Sequence, residues 1–194
     1  MSQQHQASPM PLQVDIVSDV VCPWCIIGYK QFMKALSVLP GQFDVTLHWH
    51  PFELNPRMPQ EGQDLREHLA QKYGTTAEQS RVVRSRMSSL GDSLGFTFDY
   101  FEGMRMVNTF RAHQLLHWAA TQGRQTELKL ALFEAFFSRR EDVNDPALLS
   151  AVAQRVGLDA SEAQAVLADQ RYAAAVREEQ QYWLEQDVYA VPTF

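Results

Sequence analysis

Residues 18–28 read SDVVCPWCIIG, and they contain the two cysteines of the chain, Cys22 and Cys25. The preceding stretch, LQVDIV at 12–17, alternates apolar and polar residues and is rich in β-branched side chains, which predicts a β-strand. From 26 to 36, apolar residues recur every three or four positions, which predicts an amphipathic helix of about four turns. The cysteine pair therefore lies where a strand passes into a helix.

A Cys-x-x-Cys pair either supplies two thiolates to a metal ion or cycles between dithiol and disulfide. Zinc needs four ligands, so two further side chains would have to complete a site. His48 and His50 alternate along a predicted strand, and His113 and His117 lie one helical turn apart. Either pair could serve, but an exposed strand face and a helix flank explain them better. Redox chemistry is therefore the favoured interpretation.

The position of the pair gives its two thiols different expected roles. At a helix N-terminus, unpaired N–H groups and the positive end of the helix dipole stabilise a thiolate. Pro23 suits the first helical position because it lacks an N–H group. We expect Cys22 to be the exposed, low-pKa attacking thiol and Cys25 the buried resolving thiol. Trp24 either offers substrate an apolar contact or packs against the domain.

The rest of the chain is mostly helical in pattern. A second strand is predicted at 43–50, and the aromatic stretch 95–101 is expected to form a loop or extended chain. Helix starts are predicted from four capping signals, at Asp64 with Glu67, Thr75 with Glu78, Asp145 with Pro146, and Asp159 with Glu162. The last helix is expected to end near residue 186. Strand, helix and strand followed by some 120 residues of helix is an unusual order.

Composition excludes several classes of protein. The 194 residues are 45% apolar and 21% charged, as in globular proteins, and 17 basic against 23 acidic residues give a net charge of −6. This balance argues against a nucleic-acid-binding surface. No apolar run approaches the roughly 20 residues of a membrane span. Residues 1–11 lack Lys, Arg and an apolar core, so we expect a flexible tail, no export signal and a cytoplasmic protein.

The final residues, AVPTF at 190–194, contain a second signal. A proline that follows a β-branched residue and enters a strand suits a cis peptide bond beside a redox pair, although such bonds are uncommon in general. The signal is weak alone, and it becomes specific when it is joined to CPWC.

Together these residues resemble the DsbA-like branch of the thioredoxin superfamily, and more closely its cytoplasmic FrnE-type oxidoreductases. The blocks that carry the resemblance are SDVVCPWCIIG at 18–28, WHPFELNP at 49–56, NTFRAHQLLHWA at 108–119 and VPTF at 191–194. The resemblance implies an α/β fold in which a thioredoxin-like domain is interrupted by a large all-helical insertion. It assigns residues 12–59 and 188–194 to the thioredoxin-like domain and 60–187 to the insertion.

The resemblance also implies a site. Cys22 and Cys25 would be the redox pair, and Val191-Pro192 would be a cis-proline loop that faces them and offers backbone hydrogen bonds to a bound peptide or glutathione. The family pattern continues after VPTF through two strands and a helix. We therefore expect that the natural protein is longer than this sequence, or that a partner subunit supplies those strands.

Three functions follow as hypotheses. The first is a thiol–disulfide oxidoreductase whose redox direction the motif leaves open, acting on protein or small-molecule thiols and disulfides. The second is a glutathione-dependent isomerase or transferase, similar to 2-hydroxychromene-2-carboxylate isomerase and the kappa-class glutathione transferases, whose members typically carry serine at the position of Cys22. The third is a non-enzymatic chaperone module that uses an apolar groove near Trp24 and Pro192.

The expected catalytic residues are Cys22 and Cys25, and the expected substrate-binding residues are Pro23, Trp24, Asn55, Asn108, Val191 and Pro192. No metal and no tightly bound cofactor are expected, glutathione is compatible as a co-substrate, and a homodimer is left open. Asp19 either assists proton transfer at Cys25 or stabilises a turn. His113 is expected to be a surface residue or an interhelix partner, and residues 177–179 are expected to be a solvated helix face.

Overall fold

The structure, a computed structural model, describes residues 8–194. Strands β1 (Met10–Ser18) and β2 (Phe43–Pro51) pair in parallel, and helix α1 (Pro23–Ser37) connects them. This confirms the strand–helix–strand order that the sequence predicts at the beginning of the chain. The first seven residues of the expected tail, 1–11, lie outside the described part.

Strand β1 begins earlier than the sequence pattern predicted. Met10 and Pro11, which we had assigned to the tail, pair with the first two residues of β2. On the other side of β1, Val17 and Thr193 form an isolated antiparallel bridge, with N···O distances of 2.9 and 3.2 Å. The last residues of the chain are therefore fixed against the strand that leads to the cysteines.

The insertion between β2 and the final segment is helical, as expected, and contains in addition one short ribbon of two residues per strand. Its two strands pair antiparallel. The remaining elements are β3 (Gln63–Asp64), α2 (Leu65–Tyr73), α3 (Ala77–Ser93), β4 (Arg105–Met106), α4 (Phe110–Thr121), α5 (Gln125–Ser138), α6 (Pro146–Arg155), α7 (Ala160–Asp169) and α8 (Ala173–Glu185). None of the helices within residues 8–194 has the length and apolarity of a membrane-crossing segment.

Side-chain caps mark the starts of four helices, α2, α3, α6 and α7. Asp64, Asp145 and Asp159 each accept a hydrogen bond from a backbone N–H in the first turn of the helix that follows, as predicted. The capping box of α3 lies one residue later than predicted, because Thr76 and Gln79 form both of its reciprocal bonds. The loop at 95–101 is confirmed.

Helix α5 attaches the insertion to the sheet. Its Gln125 side chain accepts a hydrogen bond from Trp49 N at 3.0 Å and donates one to Trp49 O at 2.8 Å, so it pairs with the outer edge of β2 as a neighbouring strand would. Thr126 accepts a third bond, from Trp49 Nε1. Further along the helix, Leu128 and Leu132 are fully buried in the core. The apolar interior is therefore continuous from the sheet into the helices.

Helix α8 packs on β2 through a polar cluster. Glu179 accepts hydrogen bonds from His50 at 2.6 Å and from His117 at 3.4 Å, and the other ring nitrogen of His50 lies 2.8 Å from Asp15. The His50 ring also packs on Trp183, with centroids 4.6 Å apart. The expectation of a solvated face at 177–179 is confirmed for Arg177 and Glu178, which are exposed, and is wrong for Glu179, which is mostly buried among these partners.

The same cluster predicts how stability depends on pH. Desolvation would raise the pKa of Glu179, but the bonds from the two histidines hold it at about 2. The contribution of Glu179 to the free energy of unfolding is therefore complete above pH 4.5 and is lost as the pH falls towards 2. Burial lowers the pKa of His50, but Glu179 and Asp15 outweigh it and raise this pKa. The contribution of His50 to the free energy of unfolding is therefore complete below about pH 6.5 and is lost as the pH rises through the raised pKa of His50.

We predict that Glu179→Gln lowers the free energy of unfolding by about 2 kcal/mol between pH 5 and 6, because it removes a charged acceptor shared by two imidazoles. Urea denaturation followed by circular dichroism at pH 3, 5.5 and 8 measures this. The matched control is Glu178→Gln on the exposed side of the same helix, which should change the unfolding free energy by less than about 0.5 kcal/mol. Equal effects of the two substitutions would contradict the assignment.

Candidate active site

Cys22 occupies the N-cap position of α1, and Pro23 is its first helical residue. The Cys22 N–H donates to Asp19 O at 3.2 Å, and the Cys25 N–H donates to Cys22 O at 3.1 Å, which places the second cysteine one turn into the helix. Both cysteines are free thiols in this structure. The arrangement follows from the local sequence, because proline fixes the start of the helix directly after the first cysteine.

The environment favours the thiolate of Cys22. A hydrogen bond from the Cys25 thiol lowers the pKa of Cys22, and backbone N–H groups of Cys25 and Trp24 lower it further. Burial and the negative charge of Asp19 oppose this shift but do not cancel it. Since the thiolate is the nucleophilic form, Cys22 is the member of the pair that is prepared to attack.

Cys25 is affected in the opposite direction. Its side chain is fully buried, and this burial raises the pKa of Cys25 well above its usual value. The hydrogen bond that it gives to Cys22 and the charge of a Cys22 thiolate raise it further. The positive charge of Lys129 and a backbone bond from Asp19 act against the increase. Cys25 therefore stays protonated while Cys22 is ionised.

Three ionisable side chains are buried beneath the pair, namely Asp19, His113 and Lys129. Asp19 Oδ1 lies 3.3 Å from His113 Nε2, and its Oδ2 accepts a bond from Leu54 N at 2.8 Å. Burial alone would raise the pKa of Asp19, but the bonds from His113 and the charge of Lys129 leave it lowered. The expectation that His113 is a surface or interhelix residue is wrong, because His113 is buried and joins α4 to the turn before Cys22.

Lys129 brings a positive charge into the core from α5. Its Nζ donates to Ser18 O at 3.4 Å and lies over the rings of Trp49 and Phe133, 5.5 and 5.2 Å from their centroids. Desolvation lowers the pKa of Lys129 to about 8, although the charges of Cys25 and Asp19 oppose this. Such a buried ammonium is costly unless acidic groups and aromatic rings stabilise it, and here both do.

The segment after α8 covers the thiols. The Val191–Pro192 peptide bond is cis, and the Cys22 Sγ lies 3.8 Å from Val191 O in a weak hydrogen bond. The Pro192 ring packs on α1 at Gly28, where an added Cβ would lie 3.3 Å from Pro192 Cγ. Glycine at position 28 therefore allows the proline segment to approach the start of the helix closely.

A cavity of about 610 Å³ opens beside Cys22. Of the residues expected to bind substrate, it brings together Pro23, Trp24, Asn55 and Val191. Pro192 is not among its lining residues, although its neighbour Val191 is. The expectation that Cys22 is exposed was wrong, because Cys22 is only 3% exposed under the helices and the 189–191 segment, and it is accessible through this cavity.

Asn108 lies outside the cavity, contrary to the expectation. Its Nδ2 donates to Met58 O at 2.8 Å and its Oδ1 accepts from Phe110 N at 3.0 Å, so both ends of the amide stabilise the start of α4. Asn55 does line the cavity, where its Oδ1 accepts a bond from Lys72 Nζ at 2.7 Å. Asn108 is therefore a structural residue, and Asn55 belongs to the rim of the site.

Across residues 8–194, no group of three or more His, Cys, Asp and Glu side chains is placed to hold a metal ion. The histidines considered for zinc are engaged elsewhere: His50 and His117 at Glu179, and His113 at Asp19. His48 points to the exposed side of β2.

The sequence analysis missed two side chains close to the thiols, Lys129 and Tyr100. Lys129 lies in the mostly apolar run LKLALFEAFF, and a lone lysine on the buried side of such a helix is a detectable signal. Tyr100 lines the cavity, and burial raises the pKa of its hydroxyl, which a Cys22 thiolate raises further. It lies in a loop of several aromatic residues, and nothing in that pattern distinguishes it.

With this geometry described, comparison with known proteins gives the family. Residues 13–194 match the family model of the DSBA-like thioredoxin domain. The chain belongs to this family. The match extends over both the cysteine-bearing part and the helical insertion, so the fold of this DSBA-like chain is a thioredoxin fold with a helical insertion, as the resemblance implied. The FrnE-type subfamily stays a prediction.

Three relatives illustrate the family. The crystal structure of a probable DsbA oxidoreductase from Streptomyces coelicolor is 33% identical, with a TM-score of 0.87, over 93% of this chain and 78% of that one. The uncharacterized protein YwbO of Bacillus subtilis is 27% identical over 95% of this chain and 86% of its own length. The cytosolic disulfide reductase DsbM from Pseudomonas aeruginosa, solved with GSH, has the same fold at 14% identity and a TM-score of 0.61, covering 94% of this chain and 84% of DsbM.

The pKa difference between the thiols predicts their order of alkylation. Iodoacetamide should modify Cys22 first as the pH is raised, and Cys25 should react only at clearly higher pH. Lys129→Met should move the alkylation of Cys25 to still higher pH, because it removes the positive charge that favours the Cys25 thiolate. Peptide mass spectrometry after timed alkylation measures both effects.

Lys34→Met, on the exposed face of α1, is the control and should leave both profiles unchanged. A Cys25 profile that is the same in Lys129→Met and in the wild type would mean that Lys129 has only a packing role.

Proposed function

We propose that this DSBA-like chain is a thiol–disulfide oxidoreductase in which Cys22 is the nucleophile and Cys25 the resolving thiol. The observation that carries the proposal is that Cys22 lies at the start of α1, where its pKa is lowered, whereas Cys25 is fully buried one turn later, where its pKa is raised. The low-pKa thiol is also the one that lines the cavity. The buried Cys25 can reach Cys22, to which it already donates a hydrogen bond.

The reaction takes place in two exchanges. The Cys22 thiolate attacks one sulfur of a substrate disulfide, so a Cys22–substrate disulfide forms and the other half of the substrate leaves as a thiolate. Cys25 then loses its proton to solvent and attacks Cys22 Sγ, which releases the second half. The protein ends with a Cys22–Cys25 disulfide, and two electrons have passed to the substrate. A thiol reductant, with glutathione as the candidate, reverses these steps.

Lys129 supports the second exchange. Cys25 must ionise in a buried place, and the positive charge of Lys129 is the main influence that favours its thiolate. Asp19 in turn stabilises the ammonium in the core. Lys129 therefore affects the reaction indirectly, because its positive charge favours ionisation of Cys25 and its side chain does not line the cavity.

The direction that we propose is reduction of disulfides in the cytoplasm. The shared fold of the cytosolic disulfide reductase DsbM is consistent with this direction. Equilibration with glutathione buffers measures the midpoint potential of the Cys22–Cys25 couple. A value near that of thioredoxin, about −270 mV, supports a reductase, and a value near that of DsbA, about −120 mV, contradicts it.

The two cysteines also argue against the glutathione-dependent isomerase. That chemistry needs a side chain that activates the thiol of bound glutathione, and it has no use for a resolving thiol. A second, buried thiol within reach of the first serves to resolve a mixed disulfide.

Cys22→Ser should lower the rate of insulin reduction with dithiothreitol or glutathione by at least about a hundred-fold, because the hydroxyl is not a nucleophile at neutral pH. Cys25→Ser should instead accumulate a mixed disulfide at Cys22, visible as added mass that dithiothreitol removes. Undiminished turnover in Cys22→Ser would reject the proposed function. Circular dichroism verifies that each variant is folded.

A further inference from the structure

The cavity beside Cys22 is deep as well as apolar. Cys22 and Trp24 lie on its thioredoxin side, Leu69 and Met87 come from helices α2 and α3, and the lining extends to Phe137, which is 2% exposed. Its volume of about 610 Å³ is within the range of small-molecule sites, about 300–1,000 Å³. A disulfide on the surface of a folded protein would leave most of this depth empty.

Two hydroxyl groups in the wall have no hydrogen-bond partner within the described structure. They are Ser80 Oγ, whose residue is 4% exposed, and Thr75 Oγ1, and both residues line the cavity. Buried hydroxyl groups in folded proteins are nearly always bonded, so an unpartnered pair at a cavity wall indicates where a ligand supplies the partner.

Arg84 adds a positive charge to the same wall. It lies on α3 one turn after Ser80, it is half-buried, and no carboxylate between residues 8 and 194 forms an ion pair with it. The neighbouring Arg81, by contrast, is paired with Glu78. A guanidinium group presents several N–H donors that match a carboxylate. Thr75, Ser80 and Arg84 therefore form one polar strip in an apolar cavity.

Two further charged side chains, Glu53 and Lys72, line the cavity. Glu53 Oε2 accepts bonds from Arg177 and Gln180 of α8, and its Oε1 has no partner in the described chain. Lys72 Nζ already donates to Leu54 O and Asn55 Oδ1, so an anionic group is repelled by Glu53 and attracted to the unpaired guanidinium of Arg84. This asymmetry orients a ligand that has an apolar body and one acidic group.

We propose that the cavity takes a low-molecular-weight disulfide whose halves are apolar and carry one carboxylate each, with the acid bound by Arg84, Thr75 and Ser80 and the sulfur against Cys22. This names the substrate class of the proposed oxidoreductase and rests on that function. The Cys22 thiolate displaces one half as a thiolate, and Cys25 displaces the other, so two electrons leave the dithiol as its disulfide forms. The two thiol protons go to solvent.

Two aromatic disulfides of similar size test the proposal. 5,5′-Dithiobis(2-nitrobenzoate) carries one carboxylate on each half, and 4,4′-dithiodipyridine is neutral. In single-turnover reactions of the reduced protein, Arg84→Gln should weaken the apparent affinity for the nitrobenzoate disulfide by about ten-fold, the usual worth of a charge-assisted bond. The reaction with the neutral disulfide should be unchanged.

Arg86→Gln is the matched control, because Arg86 is exposed on the same helix, does not line the cavity and carries the same charge. Equal effects of Arg84→Gln and Arg86→Gln on the nitrobenzoate disulfide would overturn the proposal and leave the oxidoreductase function intact. A reduced wild-type protein that reacts with neither disulfide through Cys22 would instead reject the function itself.

A binding measurement separates affinity from reactivity. In the Cys22→Ser, Cys25→Ser double variant, 4-nitrobenzoate should quench the fluorescence of Trp24, which lines the cavity, and adding Arg84→Gln should weaken this binding by about ten-fold. Slower insulin reduction in Arg84→Gln, by the same factor as for the nitrobenzoate disulfide, would mean that the cavity binds polypeptide and would also overturn the proposal.

Discussion

The buried ammonium of Lys129 is the interaction on which the arrangement of this protein depends. It originates on α5, in the insertion, and it contacts Ser18 O at the end of β1, directly before the turn that carries the cysteines. A charge in this position is tolerated only because Asp19 and the Cys25 thiol lie near it and two aromatic rings pack on it. The insertion and the thioredoxin-like part therefore share one electrostatic centre.

The asymmetry of the two thiols follows from this centre together with the start of α1. Cys22 receives the N–H groups of the first turn and the hydrogen bond of Cys25, and both favour its thiolate. Cys25 points into the core, where desolvation keeps it protonated and Lys129 is the main opposing influence. Two residues of the same type, one helical turn apart, thus take different roles because one faces a cavity and the other faces the interior.

The segment that covers the thiols is positioned from two directions. The bridge between Val17 and Thr193 attaches it to β1, and α8 leads into it from the cluster around Glu179. Val191 O comes within 3.8 Å of Cys22 Sγ as a result. The histidine–glutamate contacts of α8 are remote from the thiols, yet they help to determine the wall of the cavity.

Much of the secondary structure could be predicted from the sequence, because helix starts and strand alternation depend on residues only a few positions apart. Proline after Cys22 and the spacing of two residues before Cys25 determine a helix start with one thiol at its end, and alternation determines β1 and β2. The aspartate caps were found in the same way. The error at Thr75 was of one residue, because both neighbouring threonines fit a capping pattern and only the hydrogen bonds distinguish them.

Only the tertiary structure decided what surrounds the thiols. Lys129 lies 104 positions after Cys25 in sequence, and Arg84 and Ser80 become cavity residues only when α3 packs across from α1. Long-range packing also buries Cys22, and it places Asn108 outside the cavity, where its amide stabilises the start of α4. A sequence pattern shows which face of an element is apolar, but it does not show what packs against that face. Long-range packing determines that partner, and with it the desolvation and the charge that each thiol experiences.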